Sequence, residues 1–439
     1  MRKLMRRLSD LVPGGSHCYS KGDGCFPYNA PRYLVHGSGC YVQDDAGTRY
    51  LDWAMGLRSV ILGHNYEKVT HAVIEAAMDG VNFCRPTRHE LELAELLHDI
   101  IPSAGMVKFG KSGSDATTAA VKLARTYTGQ NIVLIASENP FISQHDWFIG
   151  TTVLSSGVPD DKNTQFYNFS TIERSEEDIE RSYGWENIAA IVLDPATVPV
   201  TWAKLACIRE LCDKHSVVFI LDEVISGFRY GIAGVQGLFG ITPDLSTFGK
   251  SMGNGFSVSA LCGKRDIMNL GDRDHGNVFL LSGTNNAETT GLAAAIATIS
   301  EIKGNNGILT HIDNIGKLLF EGLRKKIETY ELTEHMKADC FCIAGNPTGT
   351  NPTLTFGNPV LKTIFDQHMI ECGILMPYIA PSYSHTEKDV ESTLNAVEYA
   401  LKVVVRAMDS KQPKQFLMGG WCEKPVFERR NGENCNAKG

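Results

Sequence analysis

Three apolar runs stand out along the chain: NIVLIA at 131–136, AAIVLD at 189–194 and VVFILD at 217–222. Each is nearly continuous, which suits strands covered on both faces, as in a parallel sheet. Helical patterning at 114–128 and 203–215 lies between them. Alternating strand and helix predicts an α/β, doubly wound core. Earlier, GCYVQDD (39–45) and TRYLDW (48–53) flank Ala46-Gly47 and predict a hairpin. Val69, Val73 and Ala76 recur at helical spacing, as do Leu91, Leu93, Leu96 and Leu97.

An Ala-rich segment at 285–303 reads as a long helix. Past Asn305-Asn306-Gly307 the character changes. Helices at 308–329, 360–371 and 386–408, with short strands at 338–344 and 353–357, predict a smaller α+β domain. The chain thus divides into a large domain, 61–306, and a small one, 307–439, with residues 1–60 joining the latter. The polar tail from Ser410 reads as frayed or wrapped on the surface.

Composition narrows the class. The 439 residues are 43% hydrophobic and 21% charged, a globular balance. A net charge of −8 argues against a nucleic-acid partner. No apolar stretch reaches the roughly 18 residues that a membrane span needs, so no membrane partner is expected. The start, MRKLMRRLSDLVPGG, is basic, but Ser9 and Asp10 stand where a signal peptide needs an apolar block. It reads as a short amphipathic helix. The 12 cysteines show no CxxC and no repeated zinc-ligand spacing, so no metal site is expected. Free thiols without an export signal point to a cytoplasmic protein.

Three segments could carry chemistry. In Lys108–Ala116, KFGKSGSDA, a strand end passes through a Gly/Ser turn into a helix N-terminus. Exposed amides and the helix dipole there suit an anion, usually a phosphate, with Gly113 allowing close approach and Ser114 adding a hydroxyl. An ordinary cap by Ser112 or Ser114 fits the same residues. In VVFILDEVISGFR (217–229), Asp222 and Glu223 follow an apolar strand, where ligands of open α/β sheets bind. A carboxylate there can hold a protonated ring nitrogen, a metal or a ribose, or can form a helix cap or a salt bridge. In PDLSTFGKSMGNG (243–255), Lys250 is flanked by Gly249, Gly253 and Gly255. Such crowding by glycine leaves space for a bulky ligand, and a lysine held out of water becomes a nucleophile. Most lysines are simply solvated. Together, a phosphate cradle, a carboxylate and a lysine are what pyridoxal 5'-phosphate requires.

The chain resembles the class III, fold-type I pyridoxal-phosphate aminotransferases, and within them the glutamate-1-semialdehyde aminomutases, from about residue 10 to 405. The motifs that carry the resemblance are VPGGSHCYSKG, the hairpin at 39–52 with YxxDxxGxxYLD from Tyr41 to Asp52, ILGH at 61–64, SGSDA, DEVISGFR, PDLSTFGK and SHTEKDV at 384–390. The resemblance implies a mainly parallel sheet covered by helices, with a smaller α+β domain. It implies that Lys250 carries the cofactor covalently, that Asp222 pairs with the ring nitrogen, and that Val224 packs on the ring face. Ser112, Gly113 and Ser114 would surround the phosphate. Thr284, in SGTNNAE, would reach the phosphate of a neighbouring subunit, so a homodimer with shared sites is implied.

The chain also departs from the family pattern. YHG becomes Phe141-Ile142-Ser143, where Phe141 can still stack on the ring but the histidine is gone. EPVxGN becomes Asp194-Pro195-Ala196-Thr197-Val198-Pro199 and loses its asparagine. GNP becomes Ala287-Glu288-Thr289. The arginine expected to bind the aminomutase substrate becomes Lys21, and SWGPM becomes GLRSV, introducing Arg58. Lys21 and Arg58 are therefore the candidate substrate-binding residues. The leading expectation is an aminotransferase taking nitrogen from an amino-acid donor, glutamate first, to a carbonyl acceptor, an aldehyde or ketone of a sugar or specialised metabolite. An aminomutase is the first alternative. A non-catalytic scaffold is the second, and it has no chemical need for Lys250 and Asp222.

Overall fold

The computed structural model describes residues 2–138, 141–159, 162–198, 200–340, 342–343 and 346–420. They fall into two compact units. One takes its described residues from Met1–Tyr66, Thr310–Phe341 and Pro347–Val426, and the other chiefly from Glu67–Leu309.

The larger unit is built on a seven-stranded sheet, ordered Met106–Gly110, Ser259–Gly263, Leu245–Phe248, Val218–Asp222, Ile188–Leu193, Ile132–Ala136, Thr164–Tyr167. The last five run parallel, while Ser259–Gly263 lies antiparallel to both its neighbours. Every residue of Ile188–Leu193 and of Val218–Asp222 is buried. That is why these strands read as unbroken apolar runs rather than alternating ones. The Gly113–Thr128 helix turns Ala116, Ala120, Leu123 and Ala124 inward and stops at Gly129, whose φ of 71° is easy only for glycine. The Thr289–Gly304 helix begins four residues later than its composition suggests. The carboxylate of Glu288 accepts the N–H groups of Thr290 and Gly291, and this cap sets the start.

The smaller unit carries a four-stranded sheet, Leu34–Ser38, Tyr41–Asp44, Arg49–Asp52 and Ile374–Leu375. The predicted hairpin forms around Asp44, whose Oδ1 accepts the N–H groups of Ala46 and Thr48 at 3.0 and 2.8 Å. The helices Gly307–Thr329, Pro359–Glu371 and Glu387–Asp409 enclose a core of Trp53, Leu319, Leu323, Ile364, Val397 and Leu401. Met336–Asp339 and Thr353–Phe356 pair antiparallel. The strand predicted at 338–344 is divided, with Met336–Asp339 followed by a second short strand at Cys342–Ile343, while residues 341 and 344 lie outside the described set. The tail does not fray at Ser410. A single turn, Pro413–Phe416, follows, with the Phe416 carbonyl and Met418 N–H both bonded to the Gln367 side chain. The rest of the tail, 421–439, lies outside the described residues. The amphipathic reading of the chain start matches the helix Arg2–Leu11. Among the described residues no helix is long and apolar enough to cross a membrane.

The motif SHTEKDV has a structural explanation inside this unit. Thr386 caps the Glu387–Asp409 helix, accepting from the Asp389 N–H while Asp389 reaches back to Thr386. His385 is buried and stacks on Trp53 with ring centroids 4.1 Å apart. Its Nδ1 meets the Ser382 hydroxyl at 2.8 Å. Burial pushes the imidazole down to about 4, against the pull of the Asp389 and Asp52 carboxylates. An unfolded histidine titrates near 6.5, so the unfolded state takes up the proton first on acidification. His385 therefore leaves stability undiminished above about pH 6.5 and costs about 3 kcal/mol by pH 4. Urea unfolding at pH 7 and pH 5 should show a steeper loss for wild type than for His385→Gln. Parallel losses would mean that the buried imidazole is not the source.

Candidate active site

The parallel strands Val218–Asp222 and Ile188–Leu193 end side by side, with Leu193 paired to Leu221. The next residue of each, Asp194 and Asp222, is therefore a buried acid at the same level of the sheet. Asp222 closes its strand rather than following it. Its Oδ1 accepts the Val224 N–H at 3.1 Å and the Thr247 hydroxyl at 2.9 Å. Among the described residues both donors reach Oδ1, which leaves Oδ2 for a further donor. Burial raises the Asp222 carboxyl towards about 7, and the Asp194 charge adds to the rise, while Val224, Thr247 and Lys250 oppose it. An acid in this position is stabilised by any cation that docks against it. Asp194 is itself occupied, accepting from the Ala196 N–H and the Thr197 hydroxyl at 2.9 and 2.6 Å.

Glu223 takes the structural alternative. It is fully buried and accepts from the Ser226 hydroxyl, from the Val235 and Gln236 N–H groups and from the Gln236 side chain. It ties down the loop that follows the strand.

The turn before the Gly113–Thr128 helix shows both predicted readings at once. Ser112 is the cap: its Oγ accepts the Asp115 N–H, and Asp115 accepts the Ser112 N–H at 2.8 Å. The N–H groups of Gly113 and Ser114, the first two helical residues, have no acceptor among the described residues. They are available to an anion. The Ser114 hydroxyl accepts the Gln144 N–H at 3.0 Å, and its own proton can still be donated. A Cβ on Gly113 would lie 2.6 Å from Val224 Cγ1. The same Val224 atom lies 3.5 Å from the position of a Cβ on Gly249. Phosphate turn, Val224 and the residue before Lys250 thus converge.

Lys250 adopts a left-handed backbone, φ 45°, at the head of the short turn Lys250–Gly253. For a non-glycine residue that is strained, and such strain gathers at functional positions. The flanking glycines serve the backbone more than a ligand. A Cβ on Gly253 would lie 2.6 Å from Val258 Cγ1, and Gly255 has φ 97°. The inference that they clear ligand space holds best for Gly249.

The loop bearing Phe141 is fixed without the family histidine. Thr118 on the helix is its anchor, taking the Trp147 indole N–H at 2.8 Å and meeting His145 Nδ1 at 2.7 Å and the Ser143 hydroxyl at 3.0 Å. Phe141 itself is 39% exposed and meets Phe148 edge to face at 5.7 Å. Thr284 lies on an exposed loop, its carbonyl accepting from Asn82 Nδ2 at 2.9 Å. Lys21 and Arg58 belong to the other unit. Lys21 is exposed at the end of the turn Tyr19–Lys21. Arg58 is half-buried, its Nε donating to Asn351 Oδ1 at 2.7 Å and its guanidinium 5.3 Å from the Tyr378 ring centre. Sequence reasoning missed Asp194 as the neighbour of Asp222, although both close apolar runs. It also missed Thr247 and the Thr118 anchor, whose residue types carry no signal by themselves.

The class-III aminotransferase family model matches residues 27–401. The glutamate-1-semialdehyde 2,1-aminomutase of Alkaliphilus oremlandii is 31% identical, over 91% of this chain and 98% of that protein. An omega-transaminase from Sphaerobacter thermophilus superposes with a TM-score of 0.81 at 25% identity, over 92% of this chain and 97% of that one. The FumI protein of Sphingopyxis sp. MTA144, solved with pyridoxal phosphate, superposes with a TM-score of 0.82 at 24% identity, over 95% and 99%.

The residues present fit pyridoxal phosphate. The acceptor-free Gly113 and Ser114 amides would hold the phosphate, Asp222 Oδ2 would take a protonated ring nitrogen, and Lys250, on its strained turn, would bond the cofactor. The tightest steric demand falls on Gly113. Gly113→Ala should clash with Val224 and cost about 1–3 kcal/mol. Thermal unfolding should show that loss, and Val224→Ala in the same chain should recover most of it. An unaltered Gly113→Ala protein would show that the turn has slack.

Proposed function

Since the chain belongs to the class-III aminotransferase family and works with pyridoxal phosphate, we propose that it moves an amino group between two separate molecules. The donor is an anionic amino acid, glutamate in the first instance, and the acceptor is an aldehyde or ketone. The observation that carries this reading is Lys21, standing where the aminomutase pattern has an arginine, and the turn bearing Arg58 adds a second candidate cation. Met55, Gly56, Leu57 and Arg58 have φ of 41, 60, 60 and 71°, a single left-handed helical turn. Left-handed helix costs roughly 1–2 kcal/mol per non-glycine residue. The chain meets that cost to present one guanidinium, gripped by buried Asn351 and lying against Tyr378. A planar, pre-oriented cation suits a carboxylate.

Bound pyridoxal phosphate supplies an electron-accepting ring that stabilises negative charge at the donor's Cα. The rest is the work of this chain's residues. Lys250 Nζ holds the cofactor, then moves the proton at the donor's Cα. Asp222 Oδ2 keeps the ring nitrogen protonated. Val224 and Phe141 confine the ring, and Gly113, Ser114 and the Ser112 turn hold the phosphate. Arg58 and Lys21 are the candidates for the anionic ends of the substrates. Lysine is a mobile point charge where arginine would grip one carboxylate in a fixed plane. With Lys21 in that place a half-reacted intermediate escapes, which favours transfer between molecules.

The functional unit in this reading is a homodimer, with Thr284 serving the partner's phosphate. Ile74 and Met78, one turn apart on the Glu67–Asp79 helix, are 50% and 82% exposed, and Phe83 beyond them is exposed too. Such an apolar strip suits a second copy of the chain. The similarity to the Alkaliphilus aminomutase keeps intramolecular transfer as the second reading.

Both are tested in one experiment. Loaded protein, running as a dimer in solution, should convert glutamate to one equivalent of 2-oxoglutarate per site and retain the aminated cofactor. It should turn glutamate-1-semialdehyde into 5-aminolevulinate poorly. Efficient conversion of the semialdehyde without release of a keto acid would install the aminomutase instead.

A further inference from the structure

The residue before the phosphate cap is a lysine whose whole environment is fixed. The Lys111 N–H donates to Asp115 Oδ2 at 3.1 Å, and its carbonyl accepts the Ser257 hydroxyl at 2.8 Å. Its Nζ lies 2.6 Å from Glu288 Oε1, with the two side chains only 28% and 11% exposed. Glu288 Oε1 also accepts the Gly291 N–H at 2.8 Å, and Oε2 accepts the Thr290 N–H at 2.9 Å. Even residue 291 is matched to the contact. A Cβ there would lie 3.3 Å from Lys111 Nζ and 2.7 Å from the Ser257 carbonyl oxygen.

The consequence is electrostatic. Asp115 Oδ2 holds the Lys111 and Ser112 N–H groups just before the Gly113 and Ser114 amides, and Glu288 is joined to the same turn through the Lys111 side chain. A phosphate monoester arrives there carrying close to two negative charges. Asp115 is matched by the helix N-terminus it caps. Glu288 is answered in part by the helix it caps, and Lys111 Nζ supplies the cation bonded to it.

We propose that Lys111 is a positioning residue for the cofactor phosphate, acting by neutralising Glu288 so that the dianion can dock on the Gly113–Ser114 amides. This rests on the reading of Lys250 and the Gly113 turn as the pyridoxal-phosphate site. Lys111 is ready to do so before the phosphate arrives, because the ion pair is formed by the protein alone.

The test measures dissociation constants by absorbance for pyridoxal phosphate and for pyridoxal, which lacks the phosphate but can still bond to Lys250. Lys111→Met should weaken pyridoxal phosphate at least about tenfold, because the Glu288 charge left behind repels a dianion. It should leave pyridoxal unchanged. High salt should narrow the difference. Lys111→Arg should retain near wild-type affinity. Lys111→Met combined with Glu288→Gln should recover the lost affinity, because the acid to be neutralised is gone. Equal weakening of both ligands, or a double variant no better than Lys111→Met, would overturn the proposal in favour of a merely structural clamp. A wild type that binds both ligands, with Lys111→Met unaltered, would remove the role of the pair alone. A wild type that binds neither would remove the cofactor reading and the pair's role with it.

Discussion

A buried carboxylate at the end of a parallel strand is the constraint around which the larger unit is arranged. Asp222 can be kept there only if its charge is answered, and the protein answers it in part. Thr247 and the Val224 N–H take one oxygen. Asp194, one strand away, works against it by raising its pKa. The remaining imbalance favours a bound cation, and the protonated ring nitrogen of pyridoxal phosphate would provide one. The chain that leaves this strand turns Val224 towards Gly113, so the acid and the Gly113 turn are set relative to each other by a few residues of backbone. Glu223, fixed by four donors, prevents that backbone from relaxing.

Much of this was legible in the sequence for a physical reason. Strands buried on both faces must be apolar throughout, so 189–194 and 217–222 could be located, and their terminal acids noticed. Helix starts were legible where a side chain caps them close by, as Ser112 does. They were misplaced where composition misleads. The Ala-rich run from 285 suggests a helix, but the Glu288 carboxylate claims the amides of Thr290 and Gly291 and delays it. The strand Ser259–Gly263 has no pattern that reveals its antiparallel direction, because that depends on pairing with Met106–Gly110, far away in sequence. The expected roles of Lys250 and Asp222 came from family motifs together with chemistry, whereas the Asp194–Asp222 juxtaposition and the Lys111–Glu288 pair required coordinates.

The smaller unit shows the same division. Its hairpin was legible from Ala46-Gly47, since a turn's demands are local. The left-handed run at 55–58 was not, because only Gly56 among its four residues favours that backbone. Asp52 helps to hold it, accepting the Ala54 and Met55 N–H groups at 2.9 and 3.2 Å on one oxygen and meeting His64 at 2.9 Å on the other. Strain maintained by several side chains is a property of the folded state and leaves little trace in residue preference.

The central claim is that the strained turn at Lys250 is where pyridoxal phosphate is bonded. Borohydride reduction of the loaded protein, followed by peptide mapping, tests it most directly. The account predicts one stoichiometric label, on the peptide containing Ser246–Gly255 and at Lys250 within it. A label on a different lysine, or none in protein saturated with cofactor, would contradict it.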